Sequence, residues 1–202
     1  MAVSDLLQRC SWLSSTAIAL PLLVGLAGCG TAAKNDTFDL SGSVTGTGPA
    51  ARGRQILVQQ PTALKALDSE QIVVRVAPSQ IQYLSRAQWG DKLPRLVQSK
   101  LVETYENSGK LGGVGVPGQG LAIDYQLVTD IRSFEIDTSG GSRAVVEISA
   151  KIVNDRNGSV RAQKVFRQVV PAGGSNEALV KGLDRAFSSV SAEIVNWTLQ
   201  TI

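Results

Sequence analysis

A chain of 202 residues with 43% hydrophobic residues and a formal charge of +3 is long enough for one domain with its own core. It contains no histidine, which removes the commonest general base and the commonest transition-metal ligand. Its Lys and Arg residues are scattered, without the basic stripe that a nucleic-acid surface needs. The first predicted element is a signal peptide. Residues 1–11 form a polar segment with the single cation Arg9, and residues 12–27 form an uncharged apolar run. That run is shorter than the ~20 apolar residues of a membrane span and carries Pro21.

Leu26-Ala27-Gly28-Cys29 closes the segment, with Leu at minus three, small residues next and Cys at plus one. It is similar to the bacterial lipoprotein signal. The similarity implies cleavage of residues 1–28, diacylglycerol on the Cys29 thiol and acylation of the new amine. Several acyl chains at ~0.8 kcal/mol per buried CH₂ make a stable anchor. Gly30 stands where Asp would retain an enterobacterial lipoprotein in the inner membrane, so the expected site is the periplasmic face of the outer membrane. Cys10 leaves with the signal peptide and Cys29 carries lipid, so the mature chain forms no internal disulfide.

Residues 29–54 comprise the lipidated terminus and a stretch rich in Gly, Ser, Thr and Ala, read as a flexible tether interrupted by Phe38 and Leu40. A single domain is expected over 55–202. Ile56-Leu57-Val58 is a short apolar run, residues 71–76 alternate as a strand, and residues 80–83 make a shorter one. Residues 91–108 switch to helical period, with Asp91 as N-cap, Leu93, Val97 and Leu101 in the stripe and Gly109 as C-cap. A glycine-rich loop is expected at 111–120. Strands follow over 121–136, with a face switch near Ser133, then over 144–153 and 159–170. Residues 175–199 form the second helix, with Leu179, Leu183, Phe187, Val190, Ile194 and Trp197 on one stripe. The pattern predicts an α+β two-layer sandwich: a mixed, largely antiparallel sheet with two amphipathic helices on one face.

Chemistry-bearing motifs are weak. Gly113-Val114-Gly115-Val116-Pro117-Gly118 matches G-x-G-x-x-G but follows a helix and leads into a strand, the reverse of a dinucleotide site. No metal-ligand spacing or cofactor motif is present, and a serine triad lacks its histidine. Asp124, Asp130, Glu135 and Asp137 lie near one another in sequence, and Asp124 with Asp130 is the candidate hydrolytic pair, set against a solvated sheet face. In Tyr83-Leu84-Ser85-Arg86-Ala87-Gln88-Trp89, two large aromatics flank a polar segment. Tyr83, Arg86 and Trp89 are the candidate partner-binding residues, with packing at the end of the core as the competing account.

Ile81-Gln82-Tyr83-Leu84, Ala87-Gln88-Trp89, Leu93-Pro94-Arg95-Leu96-Val97-Gln98, Leu101-Val102 and Asn107-Ser108-Gly109 resemble the ABC-type transport auxiliary lipoproteins, the PqiC-like family of MCE-type lipid transport systems. The resemblance continues through Asp124-Tyr125-Gln126-Leu127, Asp130-Ile131 and Phe134-Glu135-Ile136 and covers most of residues 55–200. It implies a non-enzymatic, lipid-anchored subunit of a system that moves phospholipids or other hydrophobic molecules between the inner and outer membranes. The implied partners are an MCE-type substrate-binding protein and its ABC permease and ATPase, and ring-forming partners make a homo-oligomer compatible. The alternatives are a stand-alone lipid-binding envelope lipoprotein, which requires a hollow apolar core, and an envelope hydrolase using the strand carboxylates.

Overall fold

The computed structural model describes residues 35–41 and 47–202; Cys29 and the signal peptide lie outside the described residues. In chain order the elements are β1 (Asp36–Phe38), β2 (Ala51–Val58), β3 (Thr62–Ala63), β4 (Gln71–Ala77), β5 (Gln80–Trp89), α1 (Leu93–Ser108), β6 (Leu111–Gly115), β7 (Tyr125–Asp137), β8 (Arg143–Asn154), β9 (Val160–Pro171) and α2 (Asn176–Thr201).

The sheet is assembled around β7. One edge of β7 pairs antiparallel with β8 along its whole length, and β8 pairs onward with β9. The other edge takes three parallel strands end to end: β2 against Tyr125–Leu127, β3 against Asp130–Ile131 and β4 against Glu135–Asp137. β6 lies outside β2, β5 outside β4, and β1 outside β5. This is the expected mixed sheet with two helices on one face.

Side-chain alternation decides which face is covered. Ala144, Val146, Ile148, Ala150 and Ile152 of β8 are all buried toward the helices. On β7 the buried parity changes from Tyr125, Leu127 and Ile131 to Phe134 and Ile136, and the ladder slips between Ile131 and Ser133. Arg132 is the extra residue of a β-bulge, which accounts for the face switch visible in the sequence.

Both helices carry the stripes that their period dictates. Leu93, Val97, Leu101 and Tyr105 of α1 are buried. So are Leu179, Leu183, Phe187, Val190 and Ile194 of α2, each side chain gaining about 1.5–3 kcal/mol by leaving water. Ser175 caps α2, its hydroxyl accepting from the Ala178 N–H at 3.2 Å. Phe134 links the layers, with ring centroids 5.8 Å from Trp89 and 5.8 Å from Phe187. The hydroxyls of Tyr105 and Thr198 join the two helices at 2.6 Å.

Four expectations are corrected. Lys92, not Asp91, occupies the N-cap of α1; the Asp91 carboxylate accepts from the Lys92 N–H at 2.7 Å and pairs with Arg95 at 3.4 Å. Residues 111–115, expected as loop, are strand β6, whose glycines permit close backbone approach: a Cβ on Gly112 would stand 2.4 Å from the Arg52 carbonyl oxygen. The strand expected to start at residue 121 starts at Tyr125. The fourth concerns the tether. Asp36–Phe38 forms a strand, Leu40 is buried, and β2 opens at Ala51, so the domain begins well before residue 55.

These early residues are strapped along α2. Asp184 accepts from the amide and hydroxyl of Ser41. Asn196 Oδ1 accepts from the amides of Thr47 and Gly48 at 2.6 and 3.0 Å. A Cβ on Gly48 would lie 2.8 Å from the Leu199 Cβ, so the backbone there touches the helix directly.

Candidate interaction surface

The β4–β5 hairpin carries the residues singled out in the sequence, and the structure separates them. Trp89 is 1% exposed and packs edge-on against Phe134, so it is a core residue and not a partner contact. Tyr83 is 44% exposed and Ile81 38%. Arg86 is exposed as well. Tyr83 and Trp89 are six residues apart, and an unbroken strand would turn them to the same side. The hairpin register slips between Gln71 opposite Gln88 and Val73 opposite Tyr83, adding three residues on β5. That odd insertion turns Tyr83 to the helix-free face while Trp89 stays inside.

Arg86 sits in the insertion at φ 57, a left-handed conformation that costs a residue with a Cβ roughly 1–2 kcal/mol. It is held there from both sides. Asn176 Nδ2, at the start of α2, donates to the Ser85 carbonyl at 2.9 Å, and buried Ala87 pairs with Asp36 of β1. The strain keeps a guanidinium outward at the point where the N-terminal chain joins the domain.

The helix-free face is covered by ion pairs. Cross-strand register sets Tyr83, Val73, Glu135, Val145 and Val169 in one row, and Ile81, Arg75, Asp137, Arg143 and Pro171 in the next. Arg75 grips Glu135 with two bonds, 2.6 Å from Nε and 2.9 Å from Nη2, and donates to the Pro78 carbonyl at 3.0 Å. The hydrogen bond to Glu135 raises the Arg75 pKa above its ordinary value. Asp137 is held below the usual carboxylate range, first by the hydroxyl and amide of Ser139 and then by Arg143 at 2.8 Å. Glu147 pairs with Arg167 at 3.2 Å. Val73 and Val145 are buried beneath this layer.

The carboxylates considered as a hydrolytic pair are not brought together. Asp124 lies ahead of β7, accepts from the Gln55 amide at 3.0 Å and sits 3.7 Å from both Arg54 and Arg156. Asp130 accepts from the Thr62 hydroxyl at 2.8 Å. Six residue steps of extended chain separate them, about 20 Å, well beyond the ~5–9.5 Å of paired catalytic carboxylates. The G-x-G-x-x-G glycines fall in β6 and the turn after it, with no helix opening behind them. Among the described residues, no three His, Cys, Asp or Glu side chains converge as metal ligands.

The space between sheet and helices is filled by side chains that are nearly all fully buried. Among the described residues, concavities open on the outside of the domain. One, of about 510 Å³, runs along the outer side of α1 past Arg95, Leu96, Ser99, Val102 and Val116. Another, of about 250 Å³, lies on the helix-free face beside Thr62, Asp130, Arg132 and Lys151. Among the described residues, no helix is long and apolar enough to cross a membrane.

The described residues thus form a filled α+β sandwich with an N-terminal strap and an ion-paired outer face. Residues 38–195 match the family described as the ABC-type transport auxiliary lipoprotein component, and the chain belongs to that family. It is an auxiliary lipoprotein of the cell envelope. A protein of Bradyrhizobium diazoefficiens is 31% identical over 195 residues, which are 90% of this chain and 50% of that protein. The chain thus spans about half the length of this curated relative. The crystal structure of a Xanthomonas campestris protein of the DUF330 family is 29% identical with a TM-score of 0.77, over 82% of this chain and 95% of that one. Dodecameric PelC from Paraburkholderia phytofirmans shares the fold at a TM-score of 0.50 and 16% identity, over 78% of this chain and 94% of that one.

Proposed function

We propose that the protein is a non-enzymatic docking subunit of an MCE-type ABC system that moves phospholipids or other hydrophobic molecules between the inner and outer membranes. It is anchored through lipid on Cys29 at the periplasmic face of the outer membrane. Its domain engages the MCE substrate-binding protein, and through it the permease and ATPase.

The observation that carries this reading is the filled core. Among the described residues the apolar interior is taken up by the domain's own side chains, which supports a contribution made on the surface. The Glu147–Arg167 part of the sheet face and the groove along α1 offer such surfaces. The free outer edge of β9 among the described strands is compatible with assembly into a homo-oligomer.

The test is a crosslinked pull-down of the native lipoprotein from detergent-solubilised envelopes, read by mass spectrometry. Recovery of an MCE-type protein with its permease and ATPase is the expected result. Efficient crosslinking that yields no transporter subunit would overturn the reading.

A further inference from the structure

The strap changes the geometry of anchoring. β1 opens at Asp36, seven residues after Cys29. A fully stretched chain spans at most ~3.3–3.6 Å per residue, so this lead reaches no farther than about 25 Å. A folded body of this size has a radius of gyration of roughly 15 Å. A domain on so short a lead stays beside the membrane, and the point where the lead attaches is held within about 25 Å of it.

That point lies at the β4–β5 hairpin. β1 runs parallel to β5 with Asp36 opposite Ala87, so the lead arrives next to Arg86. Arg86 points outward from its left-handed bulge, and Ile81 and Tyr83 are exposed on the same hairpin. The set combines an aliphatic side chain, an amphipathic ring and a guanidinium. A Tyr ring settles at the level of lipid headgroups, and a guanidinium bonds phosphate in two-pronged fashion. Val160, exposed near the other end of the sheet, is about 30 Å away along the strand direction, counted as nine residues of β7 between Gln126 and Glu135.

We infer that the β4–β5 hairpin is a membrane-resting surface, with Tyr83 and Ile81 at the phospholipid interface and Arg86 on headgroup phosphate. This rests on the lipid anchor at Cys29. It turns the opposite end of the sheet, with β6 and the β8–β9 turn, toward the periplasm and the transport partner. Tyr83 and Arg86 then serve the membrane and not a protein partner.

Collision accessibility of a spin label tests the inference on the full lipidated chain in vesicles of phosphatidylethanolamine and phosphatidylglycerol. The Cys29 thiol carries the lipid, so Tyr83→Cys and Val160→Cys each supply a single free thiol. A label lodged in the headgroup region at position 83 should collide about fivefold less often with a water-soluble nickel chelate than one at 160. Arg86→Glu added to Tyr83→Cys should recover part of that difference. Equal accessibility at the two positions, on protein that floats with the vesicles, overturns the inference and leaves the anchor standing. Protein that does not float overturns the anchor and the inference together.

Discussion

The Tyr105 hydroxyl of α1 donates to Thr198 Oγ1 of α2, and the Thr198 hydroxyl in turn donates to the Ile194 carbonyl at 2.8 Å. The chain of bonds is buried and fixes the register of the two helices. Thr198→Val leaves the Tyr105 hydroxyl buried without a partner and should cost about 1–3 kcal/mol, whereas Tyr105→Phe should cost only about 0.5–1.5 kcal/mol. The double variant should lose less than the sum of the two. Urea unfolding of the four proteins measures this, and strict additivity would refute the coupling.

Burial pushes the Tyr105 pKa well above its ordinary value, only partly opposed by the bond to Thr198. The sign of the pH effect follows. Above pH ~10 the unfolded chain releases this proton and the folded chain keeps it, so stability falls as pH rises. The contribution is complete below that pH. Tyr105→Phe should flatten the alkaline limb of the melting curve between about pH 10 and 11, and an unchanged limb would remove Tyr105 from the account.

Trp89 and Tyr83 should behave as opposites. Trp89→Ala empties space beside Phe134 and should cost about 3–5 kcal/mol. Tyr83→Ala, at a half-exposed position, should stay within about 0.5 kcal/mol. Thermal unfolding of both variants decides between core and surface for each residue.

The same pair shows how far the sequence is legible. Residue chemistry marks both aromatics as anchors, but their faces depend on an odd insertion around Arg86, which lies beyond the strand expected over 80–83 and inside the longer β5, where no alternation reveals it. The amphipathic helices and the β7–β8–β9 meander are legible because their apolar residues repeat at 3.6 and 2, and the change of parity near Ser133 exposes the Arg132 bulge. β6 is hidden for a physical reason: the glycines that suggest a loop are required by the Arg52 backbone passing alongside. β1 and Leu40 are hidden because a three-residue strand takes its stability from β5 and α2, not from its own propensity. Separating a surface from a core contact likewise needs the register.

Arg75 and Glu135 are linked on the helix-free face, where Glu135 is almost fully buried and Arg75 partly exposed. Arg75→Ala strands a buried carboxylate and should cost about 2–4 kcal/mol, somewhat below the full penalty of a wholly buried pair because water reaches one side. Arg75→Met with Glu135→Leu should recover most of the loss, since both charges then disappear together. A double variant as unstable as Arg75→Ala would mean that the pair shapes the hairpin itself.

Thr129 is buried on β7, and its hydroxyl has no hydrogen-bond partner among the described residues. Thr129→Val replaces that hydroxyl with a methyl of similar size and should gain about 1 kcal/mol, or roughly 2–4 °C in Tm. A lower Tm would mean that the hydroxyl is satisfied in solution.

Arg86 makes the separate case that stability is given up for a surface feature. Only a residue without a Cβ adopts φ 57 freely, so Arg86→Gly should relieve roughly 1–2 kcal/mol of strain. Glycine returns part of that by loosening the unfolded chain, leaving a net gain of about 0.5–1 kcal/mol. Arg86→Ala keeps the strain and removes the charge, so its stability should stay near that of the parent. Chemical unfolding of the two variants separates conformation from charge. A gain with Gly and none with Ala shows that the strain is real and that the arginine is kept for what its side chain does outside the fold. Equal stability of all three proteins would mean that the bulge relaxes without penalty and that Arg86 needs no such explanation.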